Sequence, residues 1–565
     1  MSAATSSTRV HERIHDHEKS LEPQQRKETG VHYTPLPLSR FLVEKGISAL
    51  GRTPLQICDP TCGAGSFLIA AADALADRGV AVPEIIERRL FGGEISPAAA
   101  AVAQDSLRSW AEQRIGVAAG SRLRPNIEIG DMLLRRPEDW AGRPASGWEL
   151  VVGNPPFLSQ LATRTTRNEQ VRKQVRQRFG DLGNYADSAS LFLLGAAEML
   201  CDGGVVVLIQ PQSFLSTRDT ASVRQALLAK NELSGMWASE SLLFDASVRV
   251  CAPVLRRRQQ NTGYKVDQSS KQNQSASVQV WWGGQRTTLH EIAPFVEPQP
   301  LADDSWGPLL ARAHGVPSIA SSAGPRLGEI ATATAGFRDE FYALLECAVD
   351  LDESGLAALS SETTSPLITV GMIDPGRQSW GVKARRFGGR QQLAPAVDFR
   401  ALAAAHPRIA HWVTARQIPK VLVATQTRVV EAVADQSGSL IPVTPTISVE
   451  PKLALTDGPS IWHLLAALLA PPVSARALSS HLGAGLSSGA LRWSARSVLE
   501  VELPGDSAIW SRGAVCAQAL NNCERSEIPK MLSELGKVMC DAYGLEQCDP
   551  VYEWWLELAL RAARP

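Results

Sequence analysis

The chain has 565 residues, too many for a single hydrophobic core, so two or more domains are expected. A 44% hydrophobic and 20% charged composition describes a soluble globular protein, and a formal net charge of −1 means that no global basic field advertises nucleic-acid binding. No apolar run approaches the ~20 residues of a membrane helix, residues 1–29 carry no signal-peptide core, and nine cysteines without a C-x-x-C pair form no metal or disulfide framework. The expectation is a cytoplasmic protein with no membrane partner and no metal.

Residues 1–29 read as a polar, charged leader. After Gly30, Tyr33-Thr34-Pro35 leads into a helix with proline near its start at Pro37. Leu55 to Asp59 is a short apolar strand that runs into Pro60-Thr61-Cys62-Gly63-Ala64-Gly65 and then a helix from Ser66 to about Ala76. Strand, Gly-rich turn and helix open a nucleotide-type α/β unit. Leu90 to Glu94 is a second strand, followed by an Ala-rich helix from Pro97. Asn126 to Ile129 is a third, ending in Gly130-Asp131, and Glu149 to Gly153 is a fourth, ending at Asn154-Pro155-Pro156-Phe157. An apolar helix near 186–200 should stop at Gly203-Gly204 before a fifth strand, Val205 to Ile209, with Val248–Leu255 and Val278–Trp282 as an antiparallel edge. Alternating strands and helices predict a mostly parallel sheet covered on both faces, with ligands at the strands' carboxyl ends. The fold class is therefore α/β, Rossmann-like, over residues 30–295. Proline-rich 296–308 reads as a linker, 309–510 as a mixed α/β domain, and 511–565 as a helical terminus.

Gly63 and Gly65 let the backbone pass close to a ligand, and Asp59 places a carboxylate beside them. A phosphate cradle would want lysine after the glycines, where Ser66-Phe67 stands. An acid before the turn suits a cationic or amino-bearing ligand such as S-adenosylmethionine. Glu94 could accept from two ribose hydroxyls, and Asp131 could meet an adenine amino group. A dinucleotide oxidoreductase is the competing reading, but the turn lacks the G-x-G-x-x-G form.

This order of motifs resembles the N6-adenine DNA methyltransferases that place the cofactor motifs first and the target-recognition region last. The residues that carry the resemblance are Tyr33-Thr34-Pro35, Asp59 to Leu68, Glu94, Asp131-Met132 and Asn154-Pro155-Pro156-Phe157, with Thr61 where the family usually has alanine. It implies that Tyr33, Thr34, Pro35, Asp59, Pro60, Cys62, Gly63, Gly65, Glu94, Asp131 and Met132 surround S-adenosylmethionine. It also implies that Asn154, Pro155, Pro156 and Phe157 hold a flipped-out adenine. Phe244 would be a second stacking ring.

Basic residues cluster after the catalytic motif: Arg164, Arg167, Arg172, Lys173, Arg176 and Arg178 stand against one acid, Glu169. They fall where a loop and helix facing double-stranded DNA would lie, contacting phosphates without reading sequence. Thr332 to Phe337 and Lys420 to Val423 look like pieces of the family's target-recognition domain, in which Trp380, Lys383, Arg385, Arg386 and Arg390 are candidate DNA contacts. The resemblance implies sequence-specific adenine-N6 methylation in a restriction-modification or related phage-defence system. A separate restriction endonuclease or defence-complex subunit is compatible with it; the leader is too short to hold a nuclease. Methylation of RNA guanine-N2 or protein glutamine is the alternative within the chemistry, because such enzymes share the Asn-Pro-Pro-aromatic tip. A DNA-binding subunit without catalysis is the alternative outside it.

Overall fold

The computed structural model describes residues 34–140, 142–157, 169–184, 187–243, 248–259, 277–284, 289–301, 304–319, 324–351, 364–452, 459–484, 490–545 and 550–563. The chain forms two compact units, Met1–Leu310 and Ala311–Pro565. The expected leader lies outside the described residues.

Helix α1 (Leu36–Leu50) starts behind Pro35 and ends at Gly51, whose φ of 78° and amide bond to the Ile47 carbonyl form a left-handed cap. Leu38, Phe41, Leu42 and Ile47 recur at helical spacing on its buried face. Gly46 sits mid-helix for a packing reason: a Cβ there would lie 2.7 Å from Leu150 Cδ1 in the sheet below.

Strands β1 (Ile57–Asp59), β2 (Leu90–Glu94), β3 (Asn126–Ile129), β4 (Trp148–Gly153) and β5 (Leu200–Leu208) are parallel and lie in the order 3-2-1-4-5. The order reverses between β1 and β4, so the carboxyl ends of these two strands open a crevice at a topological switch point. Helices α2 (Ser66–Asp77) and α3 (Pro97–Ile115) are the connections of this half. Buried Asp73 of α2 ties the helices together, accepting from Arg40 of α1 at 2.5 Å and from Trp110 and Arg114 of α3 at 2.8 and 2.7 Å.

The other half departs from the expectation. The apolar helix ends at Glu198 and β5 already begins at Leu200, so Gly203 and Gly204 lie inside the strand. A short strand β6 (Gln210–Pro211) follows, and β7 (Asn231–Ala238) is present where none was expected. Strand β8 (Val250–Arg257) is antiparallel but internal, inserted between β5 and β7. Strand β9 (Ser277–Trp282) pairs parallel with β7, and the rim is β10 (Phe295–Pro298), which occupies the start of the expected linker. Gly235 accounts for the missed strand: it lowers the strand signal, yet a Cβ there would lie 2.6 Å from the Trp281 ring.

The second unit contains two four-stranded sheets. One joins Ala331–Ala335, Ile447–Pro451, Lys420–Val423 and Ala432–Asp435, and the other joins Ala348–Asp350, Pro395–Asp398, Thr364–Ile368 and Ile441–Pro442. Its C-terminal helices start earlier than residue 511, at Ile461–Leu469 and Pro471–His481, and continue through Ser507–Asn522, Ile528–Ala542 and Pro550–Ala562. Among the described residues no single helix is long and apolar enough to cross a membrane.

Candidate active site

The Gly-rich turn is built by backbone demands. Gly63 and Gly65 have φ of 53° and 101°, the left-handed region that favours glycine. The turn is tied to β2 by the Cys62 amide on the Gly93 carbonyl at 2.9 Å and closed on itself by the Gly65 amide on the Cys62 carbonyl at 2.8 Å. A Cβ at Gly63 would meet nothing within 4 Å, so the turn faces open space there. Cys62 is buried, and burial together with Asp59 and Glu94 pushes its thiol well up, which removes it as a nucleophile.

Asp59 ends β1 with 1% exposure and accepts the Thr61 amide at 3.0 Å. Burial pushes its pKa up to about 8, with the charge of Glu94 adding to the rise and the bond from Thr61 opposing it. Glu94, at the end of β2, accepts the Gly63 amide on one oxygen at 2.9 Å and the Ser96 amide on the other at 2.8 Å. Its carboxyl is also raised, chiefly by burial. Among the described residues neither carboxyl forms an ion pair, and a ligand with a positive centre and hydroxyl donors fits them. Ile95, immediately after Glu94, is 65% exposed. Sequence reasoning missed it; the available signal was an apolar residue directly behind a strand-ending acid.

Asp131 follows β3 and accepts the Leu133 amide at 3.0 Å. Met132 is buried beneath β2, where a Cβ on Gly93 would lie 2.5 Å from its Cγ. The Met132 and Leu133 carbonyls accept from Arg178, whose side chain is 8% exposed. Arg178 was expected to contact phosphates, and the structure corrects this. Helix α4 (Glu169–Phe179) buries Val175 and Phe179, and Arg178 lies on that same stripe. Lys173 and Arg176 are exposed on the helix, and Arg172 belongs to it.

At the end of β4, Asn154 Nδ2 donates to Thr34 Oγ1 at 3.0 Å, joining the catalytic motif to the buried Thr34 ahead of α1. The Pro156 carbonyl accepts from Ser188 Oγ at 2.6 Å, and Ser188 is fully buried at the start of helix α5 (Ser188–Glu198). Asp187 caps that helix, accepting the Ser190 amide and hydroxyl at 2.8 Å each. Phe157 is partly buried and packs against the core cluster that contains Leu150 and Val152. Gly153 cannot carry a side chain, because a Cβ there would lie 2.5 Å from Asp59 Oδ1. The ends of β1 and β4 therefore lie against each other at Asp59 and Gly153. Pro35 and Pro60 flank this arrangement, half-buried and buried.

Tyr33, Arg164, Arg167 and Phe244 lie outside the described residues. In the second unit, Trp380 donates its ring N–H to the Pro395 carbonyl at 2.7 Å and so helps hold the fold. Lys383 and Arg385 are half-buried, and Arg386 and Arg390 are exposed. Among the described residues no cluster of His, Cys, Asp or Glu could hold a metal ion.

The 3-2-1-4-5 parallel order with the inserted antiparallel strand, the glycine turn after β1 and the acid ending β2 define a Rossmann-like methyltransferase fold. Residues 19–280 match the family model described as N-6 DNA Methylase. The Type II methyltransferase M.VspI of Vibrio sp. (strain 343) is 26% identical over 216 residues, covering 38% of this chain and 44% of that protein. The chain thus matches less than half the length of this curated relative. Two solved structures share the fold. The Type IIL restriction-modification enzyme MmeI in complex with DNA has a TM-score of 0.58 at 12% identity, covering 96% of this chain and 80% of that one. The DrdV–DNA complex has a TM-score of 0.52 at 12% identity, covering 92% and 60%.

Proposed function

We propose that this chain is a sequence-specific DNA adenine-N6 methyltransferase that transfers a methyl group from S-adenosylmethionine to a flipped-out adenine. Its setting would be a restriction-modification or related phage-defence system in the cytoplasm. The observation that carries the reading is the Thr34–Asn154 bond of 3.0 Å at the switch point, beside Asp59 and the Gly63 turn. It fixes the side-chain amide of Asn154 by its nitrogen end, and with it the plane in which the oxygen can accept.

Asp59, Glu94 and Asp131 with the turn at Gly63 and Gly65 would hold the cofactor, with Ile95 as an apolar platform for its adenine ring. When bound, the cofactor supplies an electrophilic methyl group on a sulfonium. Asn154 Oδ1 and the Pro155 carbonyl each take one N–H of the target amino group and favour a pyramidal nitrogen with an available lone pair. No strong general base is required, because the nitrogen becomes cationic and acidic on methylation and one of its protons then passes to solvent water. Phe157 offers a face on which the extruded base stacks. Lys173 and Arg176 on the exposed side of α4 would meet DNA phosphates, and the second unit would read the sequence.

The test is incubation of the full chain with labelled cofactor and DNA, RNA or a protein extract. Label should enter DNA as N6-methyladenine, and Asn154→Ala should abolish transfer while duplex binding survives. Label found only in RNA or protein defeats the proposal, as does unchanged N6-methyladenine in the Asn154→Ala variant.

A further inference from the structure

In the second unit, Arg385–Phe387 and Arg390–Gln392 form a two-stranded antiparallel ribbon. Its turn is Gly388-Gly389, with φ of 56° and 84°, a two-residue hairpin in which both central residues are left-handed. Arg385 pairs with Gln392, Arg386 with Gln391 and Phe387 with Arg390. Directly opposed residues share a face, so the ribbon has two different sides.

One side belongs to the protein. Phe387 is 2% exposed in a core cluster with Leu344 and Leu367, and a Cβ on Gly388 would collide with Leu345. Arg385 directs its charge inward, where it acts on Asp374 and on Glu431, a carboxyl that burial raises to about 8. The other side carries Arg386 and Gln391, both exposed, and Arg390 is exposed beside the turn. Among the described residues neither Arg386 nor Arg390 forms an ion pair. The ribbon is thus anchored on one face and presents an arginine and a glutamine side by side on the other.

Those residue types at that separation match base edges. Arginine pairs bidentately with guanine O6 and N7, glutamine with adenine N6 and N7, and a two-stranded ribbon fits the ~12 Å width of the major groove. Opposed Cβ atoms lie about 5 Å apart, within reach of neighbouring base pairs. We propose that Arg386 and Gln391 read a guanine and an adenine in adjacent base pairs of the recognition sequence from the major groove. Arg390 and Lys383 contact flanking phosphates, and Arg385 does not touch DNA. The proposal rests on the reading of the chain as a DNA methyltransferase.

The experiment expresses the full-length wild type and single variants in a host and maps N6-methyladenine by long-read sequencing, with melting temperature and cofactor binding as folding controls. Arg386→Ala should relax the motif at one guanine position by about 10-fold or more, and Gln391→Ala at the adjacent adenine position. Arg386→Lys keeps the charge but loses the fork and should relax the motif as well. Arg390→Ala should lower methylation at every site equally, leave the motif unchanged and reduce the salt slope of binding by about one. If Arg386→Ala and Gln391→Ala only weaken methylation uniformly, the ribbon does not read bases. A wild type that places no methyl group on DNA overturns the methyltransferase reading and this proposal with it. A wild type with one motif that both alanine variants retain overturns this proposal alone.

Discussion

Replacing Ser188 by alanine tests how the catalytic loop is aimed. The Ser188 hydroxyl, on a fully buried residue, donates to the carbonyl of half-buried Pro156 at 2.6 Å, next to the proposed acceptor Pro155. Removing the donor leaves a partly buried carbonyl short of its partner, which costs about 1–3 kcal/mol. If the loop relieves that cost by shifting, the same energy is lost from the alignment of Asn154 and Pro155, about 10- to 100-fold in kcat at 1.36 kcal/mol per decade. The bond that is lost ends on Pro156 of the catalytic loop, so cofactor affinity should stay within about 2-fold, well under 1 kcal/mol. Single-turnover methylation at saturating DNA and cofactor reads the first quantity, and calorimetry reads the second. A melting temperature lowered by several degrees with kcat unchanged would refute the reasoning, because the hydroxyl would then stabilise the fold without aiming the loop.

Two other perturbations follow from the buried charges. Asp59 has a free-chain value of 3.8 and a folded value near 8, so between those limits the unfolded chain binds fewer protons and the cofactor-free protein loses stability as pH rises. Asp59→Asn should therefore raise the melting temperature of the cofactor-free protein at pH 9 relative to wild type while weakening cofactor binding; melts across this window check both. Arg178→Ala should destabilise the fold by about 1.5–3 kcal/mol, the range for hydrogen bonds made by a charged group. It should also raise the KM for cofactor through the Met132–Leu133 loop and leave the salt dependence of DNA binding unchanged, whereas Lys173→Ala should reduce that slope by about one.

The cofactor half was legible in the sequence because β1 and β4 are short, buried apolar runs, and the strands end at residues that interrupt the pattern: Asp59, Glu94, Gly130 and Asn154. Strands β7 and β10 were not, since Gly235 and the prolines around residue 298 speak locally against a strand. What makes them strands is pairing with β8 and β9, partners that no local window contains. Ser188 was equally invisible, because a serine behind an N-capping aspartate gives no hint that its hydroxyl reaches a carbonyl 32 residues earlier.

Within the basic clusters, two arginines were misplaced for a different reason, and a correctable one. Counting charge along the chain groups Arg178 with Lys173 and Arg176, and Arg385 with Arg386, but a side chain's direction follows the period of its element. On a helix, Arg178 stands three residues after buried Val175 and one before buried Phe179, so it falls on the apolar stripe and spends its donors on backbone carbonyls. On a strand, adjacent arginines face opposite sides, so the burial of Phe387 sends Arg385 inward to Asp374 and Glu431 and Arg386 outward. A positive cluster therefore names a surface only after the element's period has divided it. Among the described residues that division leaves Lys173, Arg176 and Arg386 exposed and gives Arg178 and Arg385 to the fold.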